Sequence, residues 1–299
     1  LVYKNEIIEK MRAIVLSANL DNTFQATLLS YINEKQDSSM DFGVLCIFHY
    51  QAFAQQVKID EQIISIAAAV ELLILSFDII DDLQDGDADY LWCRDPAMAM
   101  NAVLAMLFLT IKCIQESTFS YKAQAIQLLH DFALNSINGQ YLDIGNRGKD
   151  EASYLKMIET KSGALIALSS SIGATLATDQ IDARVINYST YIGVVQQILN
   201  DIRDLKTWGK KNDLLNRRFS LPIIYLFEQP AEYADILKEY YNGTIAEIDT
   251  AYFKEALLES GAIRYALAIK NIFKYKALQI IEEMPFNEAD KKHLKMLVE

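Results

Sequence analysis

Ile63-Ile64-Ser65-Ile66-Ala67-Ala68-Ala69-Val70-Glu71-Leu72-Leu73-Ile74-Leu75-Ser76-Phe77-Asp78-Ile79-Ile80-Asp81-Asp82-Leu83-Gln84-Asp85 is an apolar run that closes on a cluster of carboxylates. It has the length of a helix, and neither glycine nor proline interrupts it. A second stretch closes in the same way, on Asn200-Asp201-Ile202-Arg203-Asp204. Each cluster sets oxygen-bearing side chains at i, i+1 and i+4, and on a helix i and i+4 share a face one turn apart. Carboxylates gathered on an apolar helix repel one another and resist desolvation unless a cation neutralises them. Both clusters also fall at helix C-terminal ends, where the helix dipole disfavours negative charge. Two such pairs facing one another across a bundle would hold several magnesium ions, which take carboxylates, waters and phosphate oxygens. The pattern points to metal-assisted binding of a diphosphate.

The same three- and four-residue apolar spacing runs through nearly the whole chain, and strand-like alternation is almost absent. Apolar residues make up 52% of the 299 positions, and only 4 prolines and 11 glycines are present to interrupt helices. The spacing predicts helices at about 3–17, 20–35, 42–57, 60–84, 95–116, 119–146, 151–177, 182–208, 219–227, 230–242, 245–259 and 262–283, with a short last one. Asp60 is placed to cap the helix of the first cluster, and Asp85-Gly86-Asp87 to end it. Trp208-Gly209-Lys210-Lys211-Asn212 follows the second cluster. No internal repeat, linker or low-complexity tract appears, so the expectation is one all-α domain over 1–299, a helical bundle.

A net charge of −12 argues against a nucleic-acid partner, whose phosphates require a basic surface. Cys46, Cys93 and Cys113 are odd in number and lack ligand spacing; they read as buried thiols of a reducing compartment, hence a cytoplasmic location. His49, His130 and His293 share no ligand spacing either and read as structural or surface residues. Ser65, Glu71, Ser76 and Asp78 interrupt the longest apolar run, so no transmembrane segment is expected, while peripheral membrane contact stays open. The first residues, Leu1 to Glu6, do not resemble a signal peptide.

Other patterns suit a metal–diphosphate site. Lys161-Ser162-Gly163-Ala164 lies in a helical stretch, so Lys161 can reach inward as a point charge for phosphate oxygens. Gln197 precedes the second cluster by three positions and shares its face, and Gly139-Gln140-Tyr141-Leu142-Asp143 sets an amide and a carboxylate at i and i+3. Arg217-Arg218-Phe219-Ser220-Leu221-Pro222 follows on the loop side. Taken together, these residues resemble the isoprenyl diphosphate synthase family of all-α prenyltransferases, in the right order from roughly Glu71 to Pro222. The resemblance implies that Asp81, Asp82, Asp85, Asn200, Asp201 and Asp204 hold Mg2+, with Asn200 where the family usually has Asp. It implies catalytic roles for Asp81, Asp85, Asn200, Asp204 and Lys161, and substrate contacts for Lys161, Gln197, Arg218 and Gln140. Phe77, one turn before Asp81, is the floor of the prenyl channel in this reading, limiting the donor to geranyl or farnesyl diphosphate. A homodimer is a family expectation.

The departures are as informative. Chain-elongating members hold a second diphosphate through a basic set that is missing here. Ser38-Ser39-Met40-Asp41-Phe42-Gly43-Val44 contains no base, Ile74 stands where a histidine is usual, and only Arg94 follows the first cluster. Apolar residues and Asp41 leave a second diphosphate uncompensated. The chain is therefore similar to the branch of the family that prenylates a tryptophan of a quorum-sensing pheromone precursor, which implies a Trp-containing precursor peptide as acceptor. The alternatives are a short-chain prenyl diphosphate synthase and a non-catalytic partner subunit of one. A class I terpene cyclase matches poorly, because Asp204 and Trp208 occupy the positions where Ser or Thr and an acid are typical.

Overall fold

The computed structural model describes residues 3–36, 40–55, 60–86, 89–178, 180, 182–208, 212–229 and 232–298. Ser38, Ser39, Asp87, Gly209, Lys210 and Lys211 lie outside the described residues. Among the described residues the regular elements are helices and none is a strand. The chain divides into two compact units, Leu1–Leu134 with Leu165–Ile186, and Asn135–Ala164 with Asn187–Glu299.

The first unit is built around α4 (Glu61–Asp85), which packs against α1 (Lys4–Ser17), α3 (Asp41–Ala54) and α5 (Pro96–Glu116). α2 (Asn22–Lys35), part of α6 (Lys122–Ile144) and most of α8 (Ala164–Thr178) belong to the same unit. Ile63, Ile66, Leu72, Leu73 and Ile79 of α4 are buried in one continuous core with Leu28, Ile32, Met106 and Ile172. Fully burying side chains of this size contributes roughly 1.5–3 kcal/mol each. The Asp60 carboxylate accepts the Gln62 N–H at 2.9 Å, and Gly86 ends the helix in the left-handed region at φ 70, as the sequence predicts. Close approach is set by glycine: a Cβ on Gly173 of α8 would lie 2.1 Å from the Cys46 carbonyl oxygen of α3.

The second unit gathers α7 (Glu151–Ile158), α9 (Ala183–Thr207), α10 (Leu221–Glu228), α11 (Glu232–Tyr241), α12 (Thr250–Glu259), α13 (Ala262–Glu283) and α14 (Glu288–Met296). α10 packs against α11, α12 and α13, burying Ile223 and Leu226 with Leu237, Phe253 and Leu257. Pro222 sits in the first turn of α10, where its missing N–H costs nothing.

Three local expectations change. The helix expected at 151–177 is interrupted by a π turn, Glu159–Gly163, that separates α7 from α8. α12 begins at Thr250, well after the expected start, because the Asp249 carboxylate accepts the Ala251 and Tyr252 N–H groups and caps it there. Two helices, α4 and α5, do reach membrane-crossing length and apolarity; α4 spends that apolarity on the core, being 72% buried over its most apolar window against 33% for α5.

Glu71 is a carboxylate in the middle of this apolar unit, 2% exposed, accepting the Gly43 N–H at 2.6 Å. Burial pushes its pKa up to about 7 from 4.5, against the opposing pull of the Gly43 N–H and Lys35. A carboxyl raised on folding contributes stability that is complete below its unfolded value and is lost as pH climbs through the folded one. The wild-type chain is therefore expected to lose on the order of 3 kcal/mol between about pH 4.5 and 7 through this group. Urea unfolding of wild type and Glu71→Gln at pH 5 and pH 8 checks this, since the variant keeps the acceptor oxygen and lacks the titration; parallel losses in the two proteins contradict it.

Candidate active site

In the first unit, the last turn of α4 carries Asp81, Asp82 and Asp85. Asp81 and Asp82 are half-buried and Asp85 is exposed. The Asp82 Oδ2 accepts the Trp92 indole N–H at 3.1 Å. Trp92 lies in a 3-10 turn, Leu91–Arg94, stacked on Tyr90 with centroids 4.9 Å apart and met edge-on by Tyr31 at 5.6 Å. Asp78, one turn earlier, is paired with Lys35, which explains an acid on an apolar helix face. The Lys35 ammonium also feels Glu71 and Asp82, yet burial holds its pKa below the usual lysine range. Phe77 is half-buried and packs against the apolar core.

The second cluster, in the other unit, is divided by its surroundings. Asn200 and Asp204 are half-buried near the end of α9, with the exposed Arg203 guanidinium 3.7 Å from Asp204. Asp201 is buried, and both its oxygens accept donors: Oδ1 from Gln197 Nε2 at 2.8 Å, Oδ2 from the Tyr154 hydroxyl. Gln197 in turn accepts from the Ser162 hydroxyl, so Ser162, Gln197, Asp201 and Tyr154 form one relay. Burial raises the pKa of Asp201, opposed by these two donors, and burial with the neighbouring Asp201 raises that of Tyr154.

The π turn aims the cation. From its widened turn Lys161 reaches Asp143 of α6, Nζ to Oδ2 at 2.6 Å, and the Arg218 Nη1 lies 3.9 Å from the same oxygen. Two glycines make the approach sterically feasible. A Cβ on Gly139 would lie 2.4 Å from the Lys161 backbone N, and one on Gly193 of α9 would lie 2.6 Å from the Gly163 Cα. The Lys161 carbonyl accepts from Ser136 at 3.0 Å. Gln140 is half-buried on α6, three residues before Asp143.

The loop that carries Arg218 is clamped at several points. Asn146 Nδ2 donates to the Arg217 carbonyl at 2.6 Å, Tyr241 to the Arg218 carbonyl at 2.7 Å, and Tyr240 to the Leu215 carbonyl at 2.9 Å. Arg217 sits in the left-handed region at φ 54, with its guanidinium 4.4 Å above the Tyr240 ring. Asp213 in this loop is driven well above the carboxylate range by burial and then by Asp201, with Arg218 opposing.

Trp92, Lys35, Tyr154, Gly193, Tyr240 and Tyr241 are functional neighbours that the sequence reading did not single out. No spacing signal marks them, because each meets its partner through tertiary packing. His49 hydrogen-bonds the Leu45 carbonyl at 2.7 Å inside the core, and Cys46, Cys93 and Cys113 form no disulfide. Among the described residues no three His, Cys, Asp or Glu side chains converge into a ready-made metal cage. The donors on offer, carboxylates and an amide oxygen, are nevertheless the hard oxygen ligands that magnesium prefers, and magnesium completes its shell with water and substrate phosphate.

The model of the polyprenyl synthetase family matches residues 42–257. The chain is 34% identical over 293 residues to the tryptophan prenyltransferase ComQ of Bacillus subtilis subsp. natto (strain BEST195), covering 96% of this chain and 90% of the relative. It is 30% identical to the tryptophan prenyltransferase ComQ of Bacillus subtilis (strain 168), covering 95% of each. Its fold resembles the crystal structure of a polyprenyl synthetase from Streptomyces coelicolor A3(2), with a TM-score of 0.81 at 20% identity over 99% of this chain and 96% of the other.

The contact at Gly139 gives a direct check on the placement of Lys161. Gly139→Ala is expected to force the π turn away and to destabilise the protein by about 3 kcal/mol, the upper end for overpacking. Thermal unfolding of the variant measures this, and an unchanged melting temperature contradicts the packing described.

Proposed function

The chain belongs to the polyprenyl synthetase family, and we propose that this prenyltransferase moves a geranyl or farnesyl group from its diphosphate to a tryptophan of a precursor peptide. The observation that carries the reading is the gathering of two cations, Lys161 at 2.6 Å and Arg218 at 3.9 Å, on the single carboxylate Asp143. The similarity to tryptophan prenyltransferases over nearly the full chain supports it. So does the region of the missing basic set: Asp41 is exposed in the first turn of α3, and Gly43 is held by Glu71. No lysine or arginine stands between Ser38 and Val44 to meet a second diphosphate.

The acidic clusters, Asp81, Asp82 and Asp85 with Asn200, Asp201 and Asp204, are the groups that would hold magnesium. When bound, the metal neutralises diphosphate charge and eases its departure as a leaving group. Asn at 200 keeps an oxygen donor while removing one charge from the set. Lys161 and Arg218 meet the negative charge that grows on the departing diphosphate, and Asp143 keeps both aligned beforehand. Gln197 and Gln140 contact the donor, and Phe77 closes the channel for its tail. Indole C3 of the peptide takes the allylic carbon as the carbon–oxygen bond to diphosphate breaks. The peptide's own backbone nitrogen then closes a ring on the indole and gives up its proton to a base, for which the released diphosphate is a candidate.

In this reading the enzyme acts in the cytoplasm with its thiols reduced. It works as a homodimer, and the unpartnered apolar stripes support that state. On α5, Met100, Leu104 and Phe108 are 54%, 55% and 67% exposed, and α6 exposes Leu134, Ile137, Tyr141 and Ile144. Phe108→Lys is expected to shift the protein from dimer to monomer in sedimentation velocity; a wild-type chain that sediments as a monomer contradicts the assignment.

The activity is tested with magnesium, geranyl or farnesyl diphosphate, and either isopentenyl diphosphate or a Trp-containing precursor peptide, followed by mass analysis. The expected product is peptide heavier by one prenyl group, with no elongated diphosphate. Elongated diphosphate and unmodified peptide would establish a short-chain prenyl diphosphate synthase instead. Asp81→Ala and Asp204→Ala are each expected to lower kcat/KM by roughly 100-fold or more without loss of folding.

A further inference from the structure

Each acidic cluster has its middle carboxylate tied by an aromatic donor from outside its own helix. Trp92 Nε1 donates to Asp82 in the first unit, and the Tyr154 hydroxyl donates to Asp201 in the second. Both rings are buried, 2% and 1% exposed. Trp92 is wedged between Tyr90 and Tyr31, and Tyr154 is fixed by α7, whose start is locked by a reciprocal Asp150–Ser153 cap. Position i+1 is turned about 100° from i on a helix, whereas i and i+4 project together. The middle acid of each cluster therefore points away from the direction that the outer two share.

We propose that Trp92 and Tyr154 are positioning residues: each anchors a middle aspartate and so fixes the helix turn from which the outer pair, Asp81 with Asp85 or Asn200 with Asp204, meets a divalent cation. The inference rests on the magnesium–diphosphate reading above and narrows the ligand set from six side chains to four. The chemistry of the two donors fits the task. Both are neutral donors, so neither adds a positive charge of its own beside the cation. Both are rigid rings that hold one geometry at small entropic cost. At Asp201 the remaining oxygen is taken by Gln197 at 2.8 Å, so the carboxylate is fixed from two sides.

The test measures Mn2+ binding to the full chain by electron paramagnetic resonance, with inorganic diphosphate present. Trp92→Phe and Tyr154→Phe keep the ring and remove the donor; each is expected to weaken Mn2+ binding about tenfold, or about 1.4 kcal/mol. Trp92→His, which retains a ring N–H, recovers part of the loss. Asp82→Asn and Asp201→Asn keep an acceptor oxygen and are expected to weaken binding by only about threefold, against roughly thirtyfold or more for Asp81→Asn and Asp204→Asn. Wild-type binding by both Phe variants overturns the proposal, as do middle-position Asn variants that are as damaging as the outer ones. Should Trp92→Phe fail to fold, the Asn series decides alone. Unchanged binding in Asp81→Asn and Asp204→Asn is a separate outcome that sinks the underlying metal reading itself.

Discussion

Carboxylates withdrawn from water in the interior of each unit set where the donors and cations go. An ion removed from water costs several kcal/mol unless something compensates it, and each acid here has a specific answer. Glu71 takes a backbone N–H from Gly43 and a raised pKa. Asp78 takes Lys35, Asp82 takes an indole N–H, and Asp201 takes a phenol and an amide. Asp143 takes Lys161, with Arg218 close by. The compensating groups come from other turns and helices, so satisfying the acids also ties together the elements within each unit.

The kind of compensation separates what is fixed from what is exchangeable. The indole and phenol that donate to Asp82 and Asp201 are neutral, and nothing in a substrate would replace them there. Lys161 and Arg218 rest on a carboxylate, the one type of partner that a diphosphate can rival, since both offer anionic oxygens. In the proposed reaction, a cation already held by Asp143 would need little reorganisation to meet the leaving group. The π turn and the glycines that admit it make this alignment a property of backbone packing.

Much of this was readable from the chain because periodicity and i, i+4 spacing are local. The long helices, the Asp60 cap, the Gly86 stop and the two acidic clusters all follow from neighbours within a turn or two. The partners of those clusters do not. Tyr154 lies 47 residues from Asp201, and Trp92 lies 10 residues from Asp82 across a turn. Asp78 made no sense on its helix until Lys35 was brought to it by packing. The π turn has no side-chain period of its own, so 151–177 read as one helix. The apolar stripe on α5 was equally invisible, since spacing alone does not distinguish a face turned to the core from one left uncovered.

The turn at Glu159–Gly163 makes segment length a constraint independent of residue identity. A π turn holds one residue more than the α-helical turn it replaces. Removing one of its five residues would let ordinary winding close the turn with the helix beyond it still in phase, so the change falls on the turn itself. Lys161 would lose the widened turn that brings it to Asp143, and Ser162 the one that brings it to Gln197. A single-residue deletion here would thus spare the helices and remove these two contacts.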